Sequence, residues 1–218
     1  MTLTEELAGR RNTAATRIPE EKHKIMQAST KQLQDIHLSG NALKVGERLP
    51  EFQLPNAQDH TVSSKDLLAS GPLVISFYRG GWCPYCNMEL RALQRVLEDI
   101  KAKGAQLVAI SPETPDNSLS TSEKNELTFE VLSDVGNAYA KELGLVFQMP
   151  EDLQAVYHSS GLDVSKYNGN EDYELPMPAT YVIDGNGEVI YAFVPEDYTY
   201  RLDPNEIIQV LDQLSHKQ

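Results

Sequence analysis

Only two cysteines occur among the 218 residues, and they lie three positions apart, as Cys83 and Cys86. A random second cysteine would fall at that spacing only about once in a hundred cases, so coincidence explains the pair poorly. The apolar run from Leu73 to Tyr78 precedes them, which places Cys83 at a strand-to-helix corner. Free N–H groups and the helix dipole at such a corner stabilise a thiolate, the form that attacks disulfides and peroxides. The spacing therefore predicts a redox-active dithiol.

Zinc binding and a structural disulfide are the two other roles that such a cysteine pair can have. A zinc site needs four ligands, but the chain has no third cysteine, and its five histidines show no close pairing at ligand spacing. A structural disulfide across two intervening residues would close too small a loop to restrain the unfolded chain much. We therefore expect redox chemistry by the two sulfurs, without a metal, haem, flavin or other cofactor.

Length and composition indicate one domain of ordinary size with an appendage, a helical arm over residues 1–44 and a domain over residues 45–218. With 40% hydrophobic and 23% charged residues the composition is that of a soluble globular protein, without an apolar stretch long enough to cross a bilayer. The segment from Met1 to Arg11 lacks the layout of a secretory signal. These features predict a cytoplasmic protein.

The formal net charge of −13 is unevenly distributed along the chain. Residues 1–48 contain 8 Lys and Arg against 6 Asp and Glu, whereas the remainder contains 11 against 26. So acidic a body repels phosphate backbones and anionic lipids, which argues against nucleic acid and membrane partners. By the same reasoning an anionic thiol such as glutathione is not favoured as a partner.

The first 40 residues are predicted to be helical, with a helix start at Pro19 and an end near Gly40. Their apolar face is sparse and consists of four residues, Ile25, Met26, Leu33 and Ile36. A stripe this thin favours an arm that packs on the main body or on a second subunit. A homodimer is therefore one expectation.

From Val45 onwards, short apolar runs alternate with helical segments, the pattern of an α/β fold with a largely buried sheet. Strands are predicted at 52–54, 73–78, 106–111, 129–132 and 145–147, with a hairpin of 179–183 and 188–194. One long helix after the dithiol should bury Leu90, Leu93, Leu97 and Ile100 and end at Gly104. Residues 149–174 look like a surface insertion without strand periodicity, and a capping box at Asp203 opens the last helix.

Residues 45–215 resemble the AhpC/TSA family, the peroxiredoxins and their relatives, within the thioredoxin superfamily. The resemblance is carried by three stretches, Gly46 to Pro55, Ile75 to Glu89 and Met177 to Asp184. It implies a thioredoxin-like fold, with a central mixed β-sheet flanked by helices. It also implies a thiol-dependent peroxidase that reduces hydroperoxides and is itself reduced by an external thiol, from a thioredoxin-like protein or a small molecule.

The sequence departs from the peroxiredoxin pattern at three positions. The register aligns Cys86 with the peroxide-attacking cysteine, Cys83 with a threonine that binds peroxide, and Arg79 with a proline. Pro178 stands where peroxiredoxins have an arginine that polarises the peroxide. A proline there resembles the cis proline that lies against the dithiol of thioredoxin, although most X-Pro bonds are trans.

Four further side chains are candidates for supporting the site. Arg79 could lower a thiol pKa or hold an oxyanion, or it could reach into water from a strand end. Trp82 and Tyr85 flank the sulfurs and could form an apolar lip for substrate, or Trp82 could pack in the core. Arg201 resembles a second active-site arginine of the family, and could equally be a solvated surface residue.

The roles of the cysteines and the substrate stay open at this point. By thioredoxin logic, Cys83 is the more exposed thiol and attacks, whereas the peroxiredoxin register gives that role to Cys86. The first hypothesis is a peroxiredoxin-like peroxidase. The second is a general thiol-disulfide oxidoreductase acting on disulfide substrates, and the third is a binding module whose dithiol senses redox state.

Overall fold

The structure of the chain is a computed structural model that describes residues 1–215. The α-helices are α1 Leu3–Arg17, α2 Glu20–Asp35, α3 Ser64–Ala69, α4 Pro84–Arg95, α5 Leu97–Ala102, α6 Pro115–Lys124, α7 Ala138–Glu142, α8 Glu151–Ser159, α9 Val164–Asn168 and α10 Pro204–Ser215. The strands are β1 Gln53–Pro55, β2 Thr61–Ser63, β3 Leu73–Phe77, β4 Gln106–Ser111, β5 Glu130–Ser133, β6 Val146–Gln148, β7 Glu174–Pro176, β8 Ala179–Ile183 and β9 Val189–Phe193. Among these residues, no helix is both long and apolar enough to span a membrane.

A five-stranded mixed sheet in the order β5-β4-β3-β8-β9 forms the centre of the fold. Strand β3 runs parallel to β4 and antiparallel to β8, and β4 runs parallel to β5. All residues of β3 and β8 are buried, as expected of strands that are covered by other elements on both faces. The predicted α/β class with a central mixed sheet flanked by helices is confirmed, and the hairpin of β8 and β9 forms where it was predicted.

The region after the dithiol contains two helices instead of the predicted single one. Helix α4 ends at Arg95, and α5 starts two residues later, after Val96 leaves the helical conformation with φ −108° and ψ 8°. The predicted apolar face is nevertheless buried in full, since Leu90, Leu93, Leu97 and Ile100 are all 2% exposed or less. The break redirects the chain while keeping those side chains in the core, which spacing alone could not reveal.

The N-terminal arm packs on the body of its own chain. Thr2 and Glu5 form a capping box that starts α1, a helix that the sequence prediction did not separate from α2. Leu3 and Leu7 are buried against the core that contains Leu90 of α4.

The second arm helix, α2, begins one residue after Pro19, at the predicted start. Ile25 and Met26 pack on the cluster around α8, as a sparse apolar face requires. Ile36 is 67% exposed, so its placement on that face was wrong. Ile25 and Met26 thus pack on the body of their own chain without a second subunit, and the homodimer stays a prediction.

Residues 149–174 are more ordered than the predicted surface insertion. They contain α8, α9 and the start of β7, which pairs with β6. Together with Leu175 of β7, their apolar side chains form a small core that contains Met149, Leu153, Val156, Tyr157 and Val164. Acidic and serine residues surround these few apolar positions in the sequence and dilute the helical periodicity that would have indicated α8.

The last helix, α10, has half of the predicted capping box. The Asp203 carboxylate accepts a hydrogen bond from the Asn205 N–H at 3.1 Å, as an N-cap residue should. The Glu206 side chain does not complete the box, because it accepts from the Tyr191 hydroxyl at 3.1 Å.

Candidate active site

The two cysteines lie where α4 begins, at the end of the loop that leaves β3. Cys83 is the N-cap residue of α4, Pro84 is its first residue, and Cys86 lies in the first turn. Both thiols are buried, Cys83 at 1% and Cys86 at 0% exposure, so exposure alone hardly separates them. The two differ in another way: Cys83 lines a cavity of about 820 Å³ between the arm and the body, and Cys86 does not.

Arg201 approaches the dithiol from the segment between β9 and α10. Its Nη2 donates to Cys86 Sγ at 3.2 Å, and its Nε forms an ion pair with Glu89 Oε2 at 2.7 Å. Nη1 donates to the carbonyl oxygens of Tyr198 and Tyr200. All three nitrogens are therefore engaged, and the arginine is 5% exposed. The alternative of a solvated surface arginine was wrong.

Arg79, in the loop that leaves β3, lies in a cage of aromatic rings. Its guanidinium carbon is 4.1 Å from the centroid of the Tyr198 ring, 5.1 Å from that of Trp82 and 5.8 Å from that of Tyr157. Nη2 donates to the Tyr157 hydroxyl at 2.5 Å, whereas Nε and Nη1 have no partner among the described residues. At 2% exposure Arg79 does not reach into water, so that alternative was wrong too.

The two thiols differ in acidity because of this surrounding. Burial opposes ionisation of Cys83, but a hydrogen bond from Cys86 and the charges of Arg79 and Arg201 lower its pKa to about 5. Burial, the hydrogen bond with Cys83 and the negative charge of Cys83 raise the pKa of Cys86 well above its ordinary value. The pair therefore carries one negative charge at neutral pH, which we assign to Cys83, and Cys86 keeps its proton.

Trp82 and Tyr85 belong both to the packing and to the cavity wall. The Trp82 ring meets that of Tyr157 edge-on with centroids 5.7 Å apart, and Tyr85 meets Tyr198 in the same way at 5.7 Å. Both line the cavity next to Cys83. Trp82 therefore packs in the core, as one alternative predicted, and it also lines the cavity together with Tyr85, as the predicted apolar lip requires.

Glu113 fixes the loop in front of the cysteines. Its carboxylate accepts from the Gly81 N–H at 2.9 Å, from the Thr121 hydroxyl at 3.1 Å and from the Tyr78 hydroxyl at 3.4 Å. Burial raises the pKa of Glu113 to about 7, although these hydrogen bonds oppose the shift. On the other side of the loop, Asn87 Nδ2 donates to the Gly81 carbonyl at 2.8 Å. The loop that presents Cys83 is therefore held from both sides.

Three of these functional neighbours were not found from the sequence: Glu113, Tyr157 and Tyr198. Glu113 had a usable signal, because it follows β4, and the carboxyl ends of the parallel strands β3 and β4 meet at one edge of the sheet. Tyr157 and Tyr198 had none, since each reaches Arg79 only through tertiary packing.

Pro178 does not have the cis peptide bond of the thioredoxin proline that it resembles in sequence. No peptide bond in the described part of the chain is cis, so the Met177–Pro178 bond is trans. The backbone here passes directly from β7 into β8, and the Met177 N–H donates to the Leu145 carbonyl at 2.8 Å. This extended path needs no reversal at the proline. Pro178 is buried and lines a small cavity shared with Arg79.

Comparisons with known proteins agree with this architecture. Peroxiredoxin Q from the chloroplast of Populus jackii is 31% identical over 157 residues, which cover 70% of this chain and 63% of that protein. A putative peroxiredoxin bcp of Buchnera aphidicola is 34% identical over 103 residues, 47% of this chain and 65% of the relative. In both cases the chain spans just under two thirds of the relative's length.

Solved structures show the same fold at low identity. Peroxidoxin BcpB of Mycobacterium tuberculosis superposes with a TM-score of 0.63 at 19% identity, covering 79% of this chain and 98% of that one. PrxQ of Xylella fastidiosa gives 0.61 at 15% identity, covering 81% and 98%. The thioredoxin-like fold is thereby confirmed.

The family model described as "AhpC/TSA family" matches residues 45–192, which include the dithiol, Arg79, Glu89 and Pro178. The match covers more than half of the sequence, and together with the fold and the curated relatives it confirms the predicted membership: the chain belongs to the AhpC/TSA family.

Proposed function

We propose that the protein is a thiol-dependent peroxidase of peroxiredoxin type, in which Cys83 attacks the hydroperoxide and Cys86 resolves the product. One observation carries this proposal: a buried thiol at a helix N-terminus lies on a cavity that Arg79 also lines, and the charges of Arg79 and Arg201 lower the pKa of that thiol. Family membership supports the same reaction class. Opposite charges near a thiol stabilise its thiolate and also the alkoxide that leaves a peroxide.

The reaction then runs in two steps that balance in electrons. The Cys83 thiolate attacks the terminal peroxide oxygen, so that an S–O bond forms, the O–O bond breaks, and the departing alkoxide takes up a proton to leave as an alcohol or water. The Cys86 thiol next attacks the sulfenic sulfur of Cys83, forming the disulfide and releasing water. The two electrons that reduce the peroxide come from the two thiols, and an external thiol restores them.

The assignment of Cys83 as attacker reverses the family register, which aligns Cys86 with the peroxide-attacking position. Geometry supports the reversal. Cys83 lines the cavity, whereas Cys86 does not, and the Cys86 sulfur accepts a hydrogen bond from Arg201. The threonine that binds peroxide in the family is absent, and its position is occupied by Cys83 itself. Arg79 is the residue that we propose to polarise the peroxide instead.

A general thiol-disulfide oxidoreductase is the second candidate, and the complete dithiol supports it. A protein disulfide would have to reach Cys83, which is 1% exposed beneath the arm. The trans bond before Pro178 also removes the feature that most resembled thioredoxin. A small hydroperoxide requires neither an exposed thiol nor a thioredoxin-like proline. A redox-sensing module gains no support from any specific contact of the site.

We further propose a cytoplasmic site of action, because a dithiol that must be re-reduced in every cycle needs a reducing compartment. Relatives of this chain belong to a family of peroxide-reducing enzymes, and an external thiol is the matching reductant.

The test is to mix reduced protein with hydrogen peroxide in a stopped-flow instrument and follow the fluorescence of Trp82, the single tryptophan. Trp82 adjoins Cys83, so formation of the disulfide should change its emission. We expect oxidation much faster than that of free cysteine at the same pH, and no fast phase in the Cys83→Ser variant. Oxidation at the rate of free cysteine would refute the peroxidase. Reduction of insulin by the same preparation would then favour the second candidate.

A further inference from the structure

The cavity next to Cys83 has a charge opposite to that of the chain. Although the net charge is −13, the cavity lining contains five cationic side chains and a single carboxylate, that of Asp197. Four of the cations come from the N-terminal arm and one from the loop after β3: Arg10, Arg11, Arg17, Lys22 and Arg79. A cleft lined by one sign of charge raises the local concentration of opposite ions.

No ion pair within residues 1–215 neutralises the charges of these five residues. Arg11 donates to the Thr199 carbonyl at 3.0 Å and Lys22 to the Ser160 hydroxyl at 3.0 Å, both neutral acceptors. Asp197 accepts from the backbone and hydroxyl of Thr199 at 3.0 and 2.7 Å. The cavity thus presents free positive charge.

Arg79 is the most deeply buried of the five cations, so its charge is the one that most needs a partner. It is 2% exposed, and its Nε and Nη1 lack partners among residues 1–215. A buried charge without a counter-ion is costly, and aromatic rings offset only part of that cost. In the reduced protein the Cys83 thiolate supplies the negative charge. Once a disulfide forms, both sulfurs are neutral and Arg79 has no anion beside it.

We propose that the cavity binds a carboxylate-bearing thiol of low molecular weight, which reduces the disulfide of Cys83 and Cys86. This inference rests on the proposed disulfide cycle and names its reductant class. The carboxylate would lie among the arm cations and near Arg79, and the thiol would face Cys83. A volume of about 820 Å³ is ample for a molecule of small-peptide size.

A thiol fits this site better than an anionic hydroperoxide. A hydroperoxide meets the reduced enzyme, where Arg79 already has the Cys83 thiolate beside it. The reductant meets the oxidised enzyme, where that charge is missing. The expectation that so acidic a chain disfavours anionic thiols rests on the average over the chain, and that average hides the local excess of cations in the cavity lining.

The reductive step balances as an ordinary thiol-disulfide exchange. The incoming thiolate attacks Cys83 Sγ, a new S–S bond forms, and the bond to Cys86 breaks. Cys86 leaves as a thiolate next to Arg201 Nη2 and takes up a proton. A second thiol attacks the mixed disulfide, releases the oxidised reductant as its disulfide, and returns Cys83 as a thiolate.

The test uses full-length protein oxidised with diamide, so that it does not depend on peroxide. Its reduction is followed with 3-mercaptopropionate, 2-mercaptoethanol and cysteamine, which are anionic, neutral and cationic, and rates are expressed per thiolate. We expect the anionic thiol to react at least about tenfold faster than the neutral one, and the advantage to shrink at high ionic strength. The variant R10Q/R17Q should lose most of this preference. The control K44Q/K65Q removes two exposed lysines away from the cavity and should keep it.

Equal rates for the three thiols would overturn the proposal, as would an unchanged preference in R10Q/R17Q or a failure of diamide to join the two cysteines. The peroxidase can fail separately. If peroxide does not oxidise the dithiol but the anionic thiol is preferred, the reductant class stands and the peroxidase falls. If peroxide oxidises it rapidly and the three thiols react alike, the reverse holds.

Discussion

Arg201 Nη2 donates a hydrogen bond to Cys86 Sγ at 3.2 Å, across 115 positions of sequence. Glu89, one turn further along α4, holds the same guanidinium at 2.7 Å and so fixes its orientation. Because charge-assisted hydrogen bonds are short and strong, this contact stabilises negative charge on Cys86 when that sulfur departs. In the proposed cycle, Arg201 is hydrogen-bonded to the resolving sulfur of Cys86, and the charges of both buried arginines lower the pKa of the attacking Cys83.

The first prediction concerns the roles of the two sulfurs. In Cys86→Ser, peroxide should convert Cys83 to a sulfenic acid that has no resolving partner and accumulates, so that dimedone labels it. In Cys83→Ser, the remaining Cys86 keeps its proton and lies behind the cavity, so that labelling should be slow. Mass spectrometry of the adducts checks both variants. Rapid labelling of Cys86 in Cys83→Ser would contradict the assignment and restore the family register.

The second prediction concerns the charge that makes Cys83 acidic. The pKa of about 5 means that alkylation by iodoacetamide should rise as pH passes through about 5 and level off above it, because the thiolate is the reactive form. Arg79→Gln removes a nearby positive charge and should move the midpoint upward, toward the ordinary range of thiols near 8.5. Arg79→Lys keeps the charge and should recover part of the shift.

Peptide mapping of the alkylated cysteine over the pH range supplies the measurement for this second prediction. Lys65→Gln is the control, because it removes an exposed charge away from the cavity. An identical midpoint in wild type and Arg79→Gln would show that the guanidinium does not stabilise the thiolate.

The third prediction tests whether the arm covers the site. Leu7 of α1 is 1% exposed in the main core, so Leu7→Ala should lower the free energy of unfolding by about 2–5 kcal/mol through loss of packing and a residual cavity. It should also loosen the arm and speed the reaction of Cys83 with a bulky maleimide. Ile36→Ala is the matched control, because Ile36 belongs to the same arm and is 67% exposed. Urea unfolding and maleimide kinetics that do not distinguish the two variants would argue against the cover.

Local pattern was enough to predict the sheet and the dithiol. Apolar runs such as that of β3 indicate buried strands whatever lies around them, and the spacing of Cys83 and Cys86 is itself a chemical signal. Resemblance to the family added Arg201, whose place next to Cys86 no periodicity would have shown. Helix ends were less predictable, since the break at Val96 leaves the apolar spacing of α4 and α5 unchanged.

The surroundings of the sulfurs could not be predicted, because they depend on contacts between distant segments. The cage around Arg79 joins Tyr157 and Tyr198 to the loop after β3, and the first of these lies in a stretch that looked like a surface insertion. The cationic cavity likewise requires the arm to fold over the body. A net charge computed along the chain has no information about which charges meet in space.

The fourth prediction concerns Glu113, whose pKa is raised to about 7 by burial. The folded state holds this proton more tightly than the unfolded state, where a glutamate titrates near 4.3, so its contribution to stability is complete below that value and disappears as pH rises through about 7. Glu113→Gln cannot titrate, and its amide has one accepting oxygen where the carboxylate has two. A buried donor left unpaired should lower the free energy of unfolding by about 1–3 kcal/mol. The difference in unfolding free energy between wild type and Glu113→Gln should therefore be largest near pH 4.5 and smaller at pH 8, as urea titrations at each pH would show. Glu98→Gln is the control, because it alters an exposed glutamate in the first turn of α5 and should change the free energy of unfolding little. A wild-type advantage that grows with pH would mean that Glu113 is ionised in the folded protein throughout, and that the hydrogen bonds from Gly81, Thr121 and Tyr78 outweigh its burial.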